Sequence, residues 1–282
     1  MMQDPVSVII PTYNRERFVI KAVDSIFKQT YRKFEVIVVD DGSTDNTQEL
    51  LAGYGDDIVC VRQKNRGPAA ARNTGIKAAR HDLIAFLDSD DWFDGKKLEI
   101  QTKAMGREPC FLISHTQEIW YRRGRLLNQK KKHHKSSGNI FARCLELCAV
   151  GMSTIMVRKE LFDRVGLFDE NLRCCEDYDL WLRASIDHKF LLIDRALTYK
   201  QGGREDQVSF CYQTGMDRFR IKSILKILES GKANSDQTRL AKKELVKKCL
   251  IYGNGCIKHG RAEEGAYFLR IAARNSENQL IL

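Results

Sequence analysis

The sequence predicts an α/β protein with a doubly wound, mixed but mostly parallel sheet flanked by helices and a helical C-terminal extension. Three observations carry this. Short apolar runs bounded by turn residues recur at residues 6–10, 34–39, 58–61 and 83–87, as in strands buried on both faces. Helical segments separate them, so strand and helix alternate four times in under 90 residues. After Gly215 the apolar residues take helical spacing only.

The first run, Val6-Ser7-Val8-Ile9-Ile10, stops at Pro11, and Pro11-Thr12-Tyr13-Asn14 forms the turn. Asn14 is expected to cap a helix over 15–28, with Phe18, Ala22 and Ile26 on one face. The second strand ends in Asp40-Asp41-Gly42-Ser43, where Gly42 supplies turn freedom and Thr44, Asp45 or Asn46 opens a helix through Leu51. After the third strand, Pro68 suits the first turn of a helix over 68–79. Helix 95–105 and strand 110–114 continue the theme. Residues 117–137 read as a hairpin with an exposed basic tip. Then come helix 141–150, strand 153–157, helices 159–165 and 176–186, and short strands 190–193 and 196–199. Leu245, Cys249, Tyr252 and Cys256 form one later stripe, and Ala262, Ala266, Leu269 and Ala273 another. These two predict a helical hairpin around His259-Gly260, packed on the main domain or on another subunit.

The fourth strand runs into Asp88-Ser89-Asp90-Asp91. Carboxylates this close repel one another unless a cation lies between them, and oxygen ligands suit Mg²⁺ or Mn²⁺. The end of a parallel strand is also where open α/β sheets bind ligands. The plainer reading is an acidic turn before a helix that Asp94 caps.

The chain has 282 residues, and 43% of them are hydrophobic, which marks it as globular rather than disordered. No apolar run approaches a membrane span, and no signal peptide is expected. Nine irregularly spaced cysteines, two of them vicinal at Cys174-Cys175, argue against a disulfide framework or a zinc site and for reduced thiols in a cytoplasmic protein. The net charge of +10 is uneven. Residues 122–135 hold seven Lys or Arg and no acid, and the chain from Gly215 onward carries +7. Such surfaces suit anionic membranes or substrates, or are solvated faces. No nucleic-acid-binding signature accompanies them, so no nucleic-acid partner is expected.

Five segments in one order carry a resemblance. They are Val6 through Asn14, Val39 through Asp45, Gly67 through Asn73, Phe86 through Asp91, and Glu176-Asp177-Tyr178-Asp179-Leu180-Trp181. Together the sequence strongly resembles the family 2 glycosyltransferases, with their GT-A fold for nucleotide-sugars, over residues 6–200. The resemblance implies a GT-A domain at 1–213, with its nucleotide-sugar half at 1–115 and its acceptor half at 116–213. A basic helical extension at 214–282 follows. It implies inverting, metal-dependent transfer of a sugar, with a UDP-sugar as donor. The acceptor would be a glycan or a lipid-linked glycan of the bacterial surface.

The resemblance also assigns residues. Pro11, Thr12, Asp41 and Arg72 are implied as nucleotide contacts, with Asp41 facing uracil. Asp90 is the implied ligand of Mn²⁺ or Mg²⁺, and Asp88 is shared between ribose and metal. Asp177 is implied as general base, with Glu176, Trp181 and Arg204 as donor or acceptor contacts. A helix N-terminus favours negative charge, which suits a carboxylate base. Each residue has a plainer alternative. Asp41 forms an Asx-turn, Arg72 pairs with a surface acid, or Glu176 and Asp177 only complement a helix end. Relatives often carry a histidine after the last strand, where this chain reads Gln201-Gly202-Gly203-Arg204. Arg204 then becomes a candidate for phosphate, and the glycines a candidate lid. The basic stretch 122–135 is expected to hold anionic lipid or glycan, or to be a solvated loop. The last helices are candidates for a homodimer contact. A non-catalytic scaffold acting through the basic tail is the alternative function.

Overall fold

A computed structural model of the protein describes residues 4–130, 133–212 and 214–276. Lys131 and Lys132 of the basic stretch lie outside the described residues, as does the end of the tail from 277. The strands are β1 (Val6–Thr12), β2 (Phe34–Asp40), β3 (Val59–Arg62), β4 (Leu83–Phe86), β5 (Trp92–Phe93), β6 (Ile113–Arg122), β7 (Arg125–Leu127), β8 (Ile155–Arg158) and β9 (Phe190–Gly202). The helices are α1 (Val19–Phe27), α2 (Thr47–Ala52), α3 (Pro68–Ala78), α4 (Lys97–Arg107), α5 (Phe141–Glu146), α6 (Glu160–Val165), α7 (Glu176–Ala184), α8 (Val208–Cys211), α9 (Met216–Ser230), α10 (Ser235–Lys258) and α11 (Ala262–Asn275).

One sheet runs β3-β2-β1-β4-β8-β6-β9-β5, with β7 paired to β6. β1 pairs in parallel with β2 and β4, and β2 with β3, so the carboxyl ends of these four strands face one way. β8 enters antiparallel between β4 and β6, which makes the sheet mixed. Alternate strand residues point to opposite faces. Ile9, Ile37, Val39, Ile84 and Phe86 therefore pack in one core with α3, α6 and α7. Val8, Ile10, Val36, Val38 and Ala85 pack in the other with α1 and α4.

Several expectations change. Asn14 caps no helix. It adopts φ 50°, its Oδ1 accepts the Thr44 N–H at 2.8 Å, and α1 begins only at Val19. The side chain that would have capped instead ties the turn after β1 to the turn after β2. The two short strands at 190–199 are one strand of 13 residues, with an irregular register against β6 near Thr116 and Gln117. Helix α5 stops at Glu146 because Leu147 is already extended. The hairpin at Arg123-Gly124 exists, both residues having positive φ, which matches a tight two-residue turn.

The basic stretch is not one exposed tip. Arg122, Arg123 and Arg125 are exposed. Lys135 turns its side chain inward, 3% exposed, with its ammonium 3.2 Å from the inward-facing carboxylate of Glu118 and 3.1 Å from Thr154 Oγ1.

The C-terminal helices continue the main core. Ile221 and Ile224 of α9 and Leu245, Cys249 and Cys256 of α10 pack in the same cluster as Tyr178 and Trp181 of α7. α10 and α11 form the expected hairpin, close enough that a Cβ on Gly253 would stand 3.0 Å from the Gly265 carbonyl. No helix among the described residues is long and apolar enough to cross a membrane.

Candidate active site at the carboxyl edge of the sheet

The carboxyl ends of β1, β2 and β4 bring Thr12, Asp41 and the acidic turn Asp88–Asp91 to one edge of the sheet. β1 lies between β2 and β4, with Thr12 beside Asp40 and Ile9 beside Phe86, so the turns that follow β2 and β4 flank the end of β1. Thr12 is buried, and its Oγ1 has no hydrogen-bond partner. A buried hydroxyl without a partner at a ligand-facing strand end fits a ligand contact. Pro11 precedes it, fully within β1.

Asp41 is 3% exposed. Its Oδ1 accepts from Gln63 Nε2 at 2.7 Å and from the Arg66 N–H at 2.9 Å, and its Oδ2 accepts from the Gly67 N–H at 2.7 Å. The carboxylate thus holds the loop between β3 and α3. The carboxylate that ties down the turn after β2 is Asp40 instead, whose Oδ1 accepts the N–H of Ser43, three residues on, at 2.9 Å. Gly42 needs to be glycine, because φ is +82° and a Cβ would meet the Asn65 nitrogen at 3.0 Å. Gly42, Arg62, Gln63, Lys64 and Asn65 line a cleft of about 500 Å³ beside Asp41.

Arg72 pairs with the half-buried Asp88 and the buried Glu176, not with a surface acid. Its Nη2 lies 2.8 Å from Asp88 Oδ1 and its Nη1 2.5 Å from Glu176 Oε1. Gly75 allows this, since α3 sits so close to β1 that a Cβ there would approach Ile9 Cγ2 to 2.4 Å. One guanidinium therefore joins the turn after β4 to the first turn of α7, which carries Asp177. Burial opposes the charge on Arg72, but Asp88 and Glu176 outweigh it and hold the group protonated. Burial likewise raises the Asp88 carboxyl, yet Arg72 and then Lys200 bring it below its ordinary value. Glu176 goes the other way: burial and the neighbouring Asp177 raise it despite Arg72.

The remaining acids are also paired. Arg204 reaches Asp90 Oδ2 with Nη2, Asp206 with Nε at 3.0 Å, and stacks over Phe18 at 4.2 Å. Asp91 is 2% exposed; its Oδ2 accepts from Ser153 Oγ at 2.6 Å and its Oδ1 from the Gln201 N–H at 3.2 Å. Lys200 stands 3.7 Å from it. Burial, with Asp90 and Asp88 nearby, pushes the Asp91 carboxyl well above the usual range. Like-charge repulsion in the acidic turn is thus answered by Arg72, Lys200 and Arg204, side chains from three other segments.

A divalent cation fits this turn in part. Among the described residues no group of three or more His, Cys, Asp or Glu side chains is arranged to hold a metal. Arg72 and Arg204 occupy Asp88 Oδ1 and Asp90 Oδ2, leaving one oxygen of each carboxylate outside these pairs. Two carboxylates completed by substrate phosphates and water suffice for Mg²⁺-type sites.

Asp177 is half-buried at the start of α7. Its Oδ1 accepts the Tyr178 N–H at 2.7 Å, and its Oδ2 accepts the thiol of Cys148 at 3.0 Å. Trp181 is not a donor or acceptor contact. It is 1% exposed in the core, edge-on to Phe190 at 6.2 Å, because its helix turns that face inward. Lys200, Ser153 and Cys148 were not singled out from the sequence. Lys200 lies near the carboxyl end of β9, and only the pairing of that strand brings it beside the acids. Ser153 and Cys148 carry no readable signal.

Comparisons with known proteins identify the family and the fold. The family model "Glycosyl transferase family 2" matches residues 7–166. An "Uncharacterized glycosyltransferase" of Rickettsia felis is 43% identical over 201 residues, 68% of this chain. The chain spans 32% of that relative's length. The Escherichia coli UDP-Glc:alpha-D-GlcNAc-diphosphoundecaprenol beta-1,3-glucosyltransferase WfgD is 31% identical over 67% of this chain and 73% of its own. The crystal structure of S. aureus TarS 1-349 in complex with UDP-GlcNAc superposes with a TM-score of 0.68 at 18% identity, covering 98% of this chain and 93% of that one, so the fold is shared. The protein belongs to glycosyl transferase family 2 and has the mixed α/β architecture of the GT-A glycosyltransferases with a helical C-terminal region.

Proposed function

We propose that the protein is an inverting, metal-dependent glycosyltransferase that moves a sugar from a UDP-sugar to a hydroxyl of a bacterial cell-surface glycan or its lipid-linked precursor. The observation that carries this reading is the Arg72 bridge, which sets Asp88 and the α7 turn bearing Asp177 on one guanidinium. Leaving group and acceptor then meet between fixed elements. Thr12, with its unpartnered hydroxyl, and the cleft beside Asp41 receive the nucleoside, with Pro11 shaping the turn. Asp41 acts there by holding the 63–67 loop. Arg72 orients Asp88 and Glu176.

Asp88 and Asp90 would hold Mn²⁺ or Mg²⁺ through their remaining oxygens. Such a cation supplies Lewis-acid stabilisation of the leaving diphosphate. Arg204 shares Asp90 and is a guanidinium suited to phosphate, so it stands where relatives often have histidine. Asp177, on the other side of the reacting sugar, takes the acceptor hydroxyl's proton as it attacks the anomeric carbon. The names of WfgD and TarS support a UDP-sugar donor. The same reading places the enzyme in the cytoplasm, with the exposed Arg122, Arg123 and Arg125 facing anionic lipid or glycan. It treats residues 1–213 as the transfer domain, with nucleotide and acceptor halves, and 214–282 as its basic helical extension.

The test is release of nucleoside diphosphate from a panel of UDP-, GDP- and dTDP-sugars with Mn²⁺. Asp177→Asn should abolish turnover while UDP binding, followed by calorimetry, stays near wild type. Asp90→Ala should lose the Mn²⁺-dependent part of that binding. No turnover with any donor, with nucleotide binding intact, would favour a scaffold role instead.

A further inference from the structure

A carboxylate in the first turn of a helix can swing about two side-chain torsions, and one amide from its own turn fixes only one of its oxygens. Asp177 has that amide, from Tyr178, on Oδ1. Its second oxygen is met from a different element. Cys148, in the segment after α5, lies 3.0 Å from Oδ2, nearer than its other acceptor, the Val150 carbonyl at 3.4 Å. The end of α5, from which that segment leaves, is itself anchored. Tyr178 Oη donates to the Leu145 carbonyl at 2.8 Å, and Lys248 Nζ of α10 donates to the Glu146 carbonyl at 3.1 Å. Burial raises the Cys148 thiol well above its ordinary value and the Asp177 charge adds to this, so sulfur keeps its proton and acts as donor.

We propose that Cys148 is a positioning residue for Asp177, its S–H holding Oδ2 so that the carboxylate faces the acceptor hydroxyl. The proposal rests on Asp177 being the base. It also gives the C-terminal extension a part in the site, since Lys248 steadies the backbone from which Cys148 reaches.

The test compares Cys148→Ala and Cys148→Ser with the wild type, using the donor that turns over in the panel. Losing one hydrogen bond to a charged group should lower kcat of the alanine variant roughly three- to tenfold with the donor KM unchanged. Serine, which keeps a donor, should recover most of that loss. An alanine variant with wild-type kcat, or a serine variant as impaired as alanine, overturns the proposal. A second measurement needs no turnover: alkylation of Cys148 by iodoacetamide, read from its peptide by mass spectrometry. The thiol should react faster in Asp177→Asn, where the neighbouring charge is gone. Equal rates overturn the contact. If Asp177→Asn keeps wild-type turnover, the base assignment falls instead, whatever the alkylation rates show.

Discussion

Single residues in this site act mostly on other residues. Arg72 is the clearest case, 6% exposed in its side chain and bonded to two carboxylates from distant segments. Removing one partner of a buried ion network leaves the others uncompensated, at a cost of ~3–5 kcal/mol. Arg72→Met is therefore expected to lower the stability measured by urea unfolding by that order, and Arg72→Lys to recover only part. Lysine reaches one carboxylate as a point charge, whereas guanidinium spans both. Wild-type stability in the methionine variant would show that the bridge contributes nothing net. Asp41 gives a similar lesson, since its three accepted hydrogen bonds all go to residues 63–67. Asp41→Ala should loosen that loop, seen as faster amide exchange at Arg66 and Gly67, as well as weaken UDP binding.

At the level of elements, close packing places these residues. α3 lies on β1 through Gly75, and this contact sets the height of Arg72 above the sheet edge. Overpacking a tight contact typically costs ~1–3 kcal/mol. Gly75→Ala should destabilise by about that much even though alanine favours helix, and should lower turnover by displacing Arg72. Unchanged urea midpoints would mean that Ile9 yields freely. Asn14 looked like a helix cap because capping residues and turn residues are the same types. Which role it plays depends on Ser43 and Thr44, brought beside it by strand pairing. Strand β9 looked like two strands because Asp194 and Arg195 interrupt its apolar run, yet β6 continues to pair past the irregularity.

The whole molecule is joined across the α7–α9 contact. Lys226 of α9 lies 2.8 Å from Asp169 and 2.7 Å from Asp179 of α7. Burial raises the Asp169 carboxyl, but Lys226 and the Asn171 hydrogen bonds bring it down to about 2. Its folded value is below the unfolded one near ~3.9, so the stability it contributes is present above that value. This stability is lost as pH falls from about 4 through about 2. Lys226→Met should therefore be less stable near neutral pH and lose less on acidification across that window, as read from urea midpoints. A variant losing as much as wild type would show that other carboxyls dominate there. Since α9 and α10 share the core of α7, removing residues 214–282 should expose Tyr178 and Trp181 and leave an insoluble remainder.

The sequence by itself determined the α/β class, the alternation of strands and helices, the helical character of the tail and the resemblance to family 2 glycosyltransferases. These rest on local periodicity and on motifs written within a few residues of one another. Only the tertiary structure decided who pairs with whom: Arg72 with Glu176, Arg204 with Asp90, Lys135 with Glu118, Cys148 with Asp177, and Trp181 with the core. Arg72 and Glu176 stand 104 positions apart in the chain. Charge and hydrogen-bond energies depend on separation in space and on burial. The order of residues along the chain fixes neither until the sheet has closed over its helices.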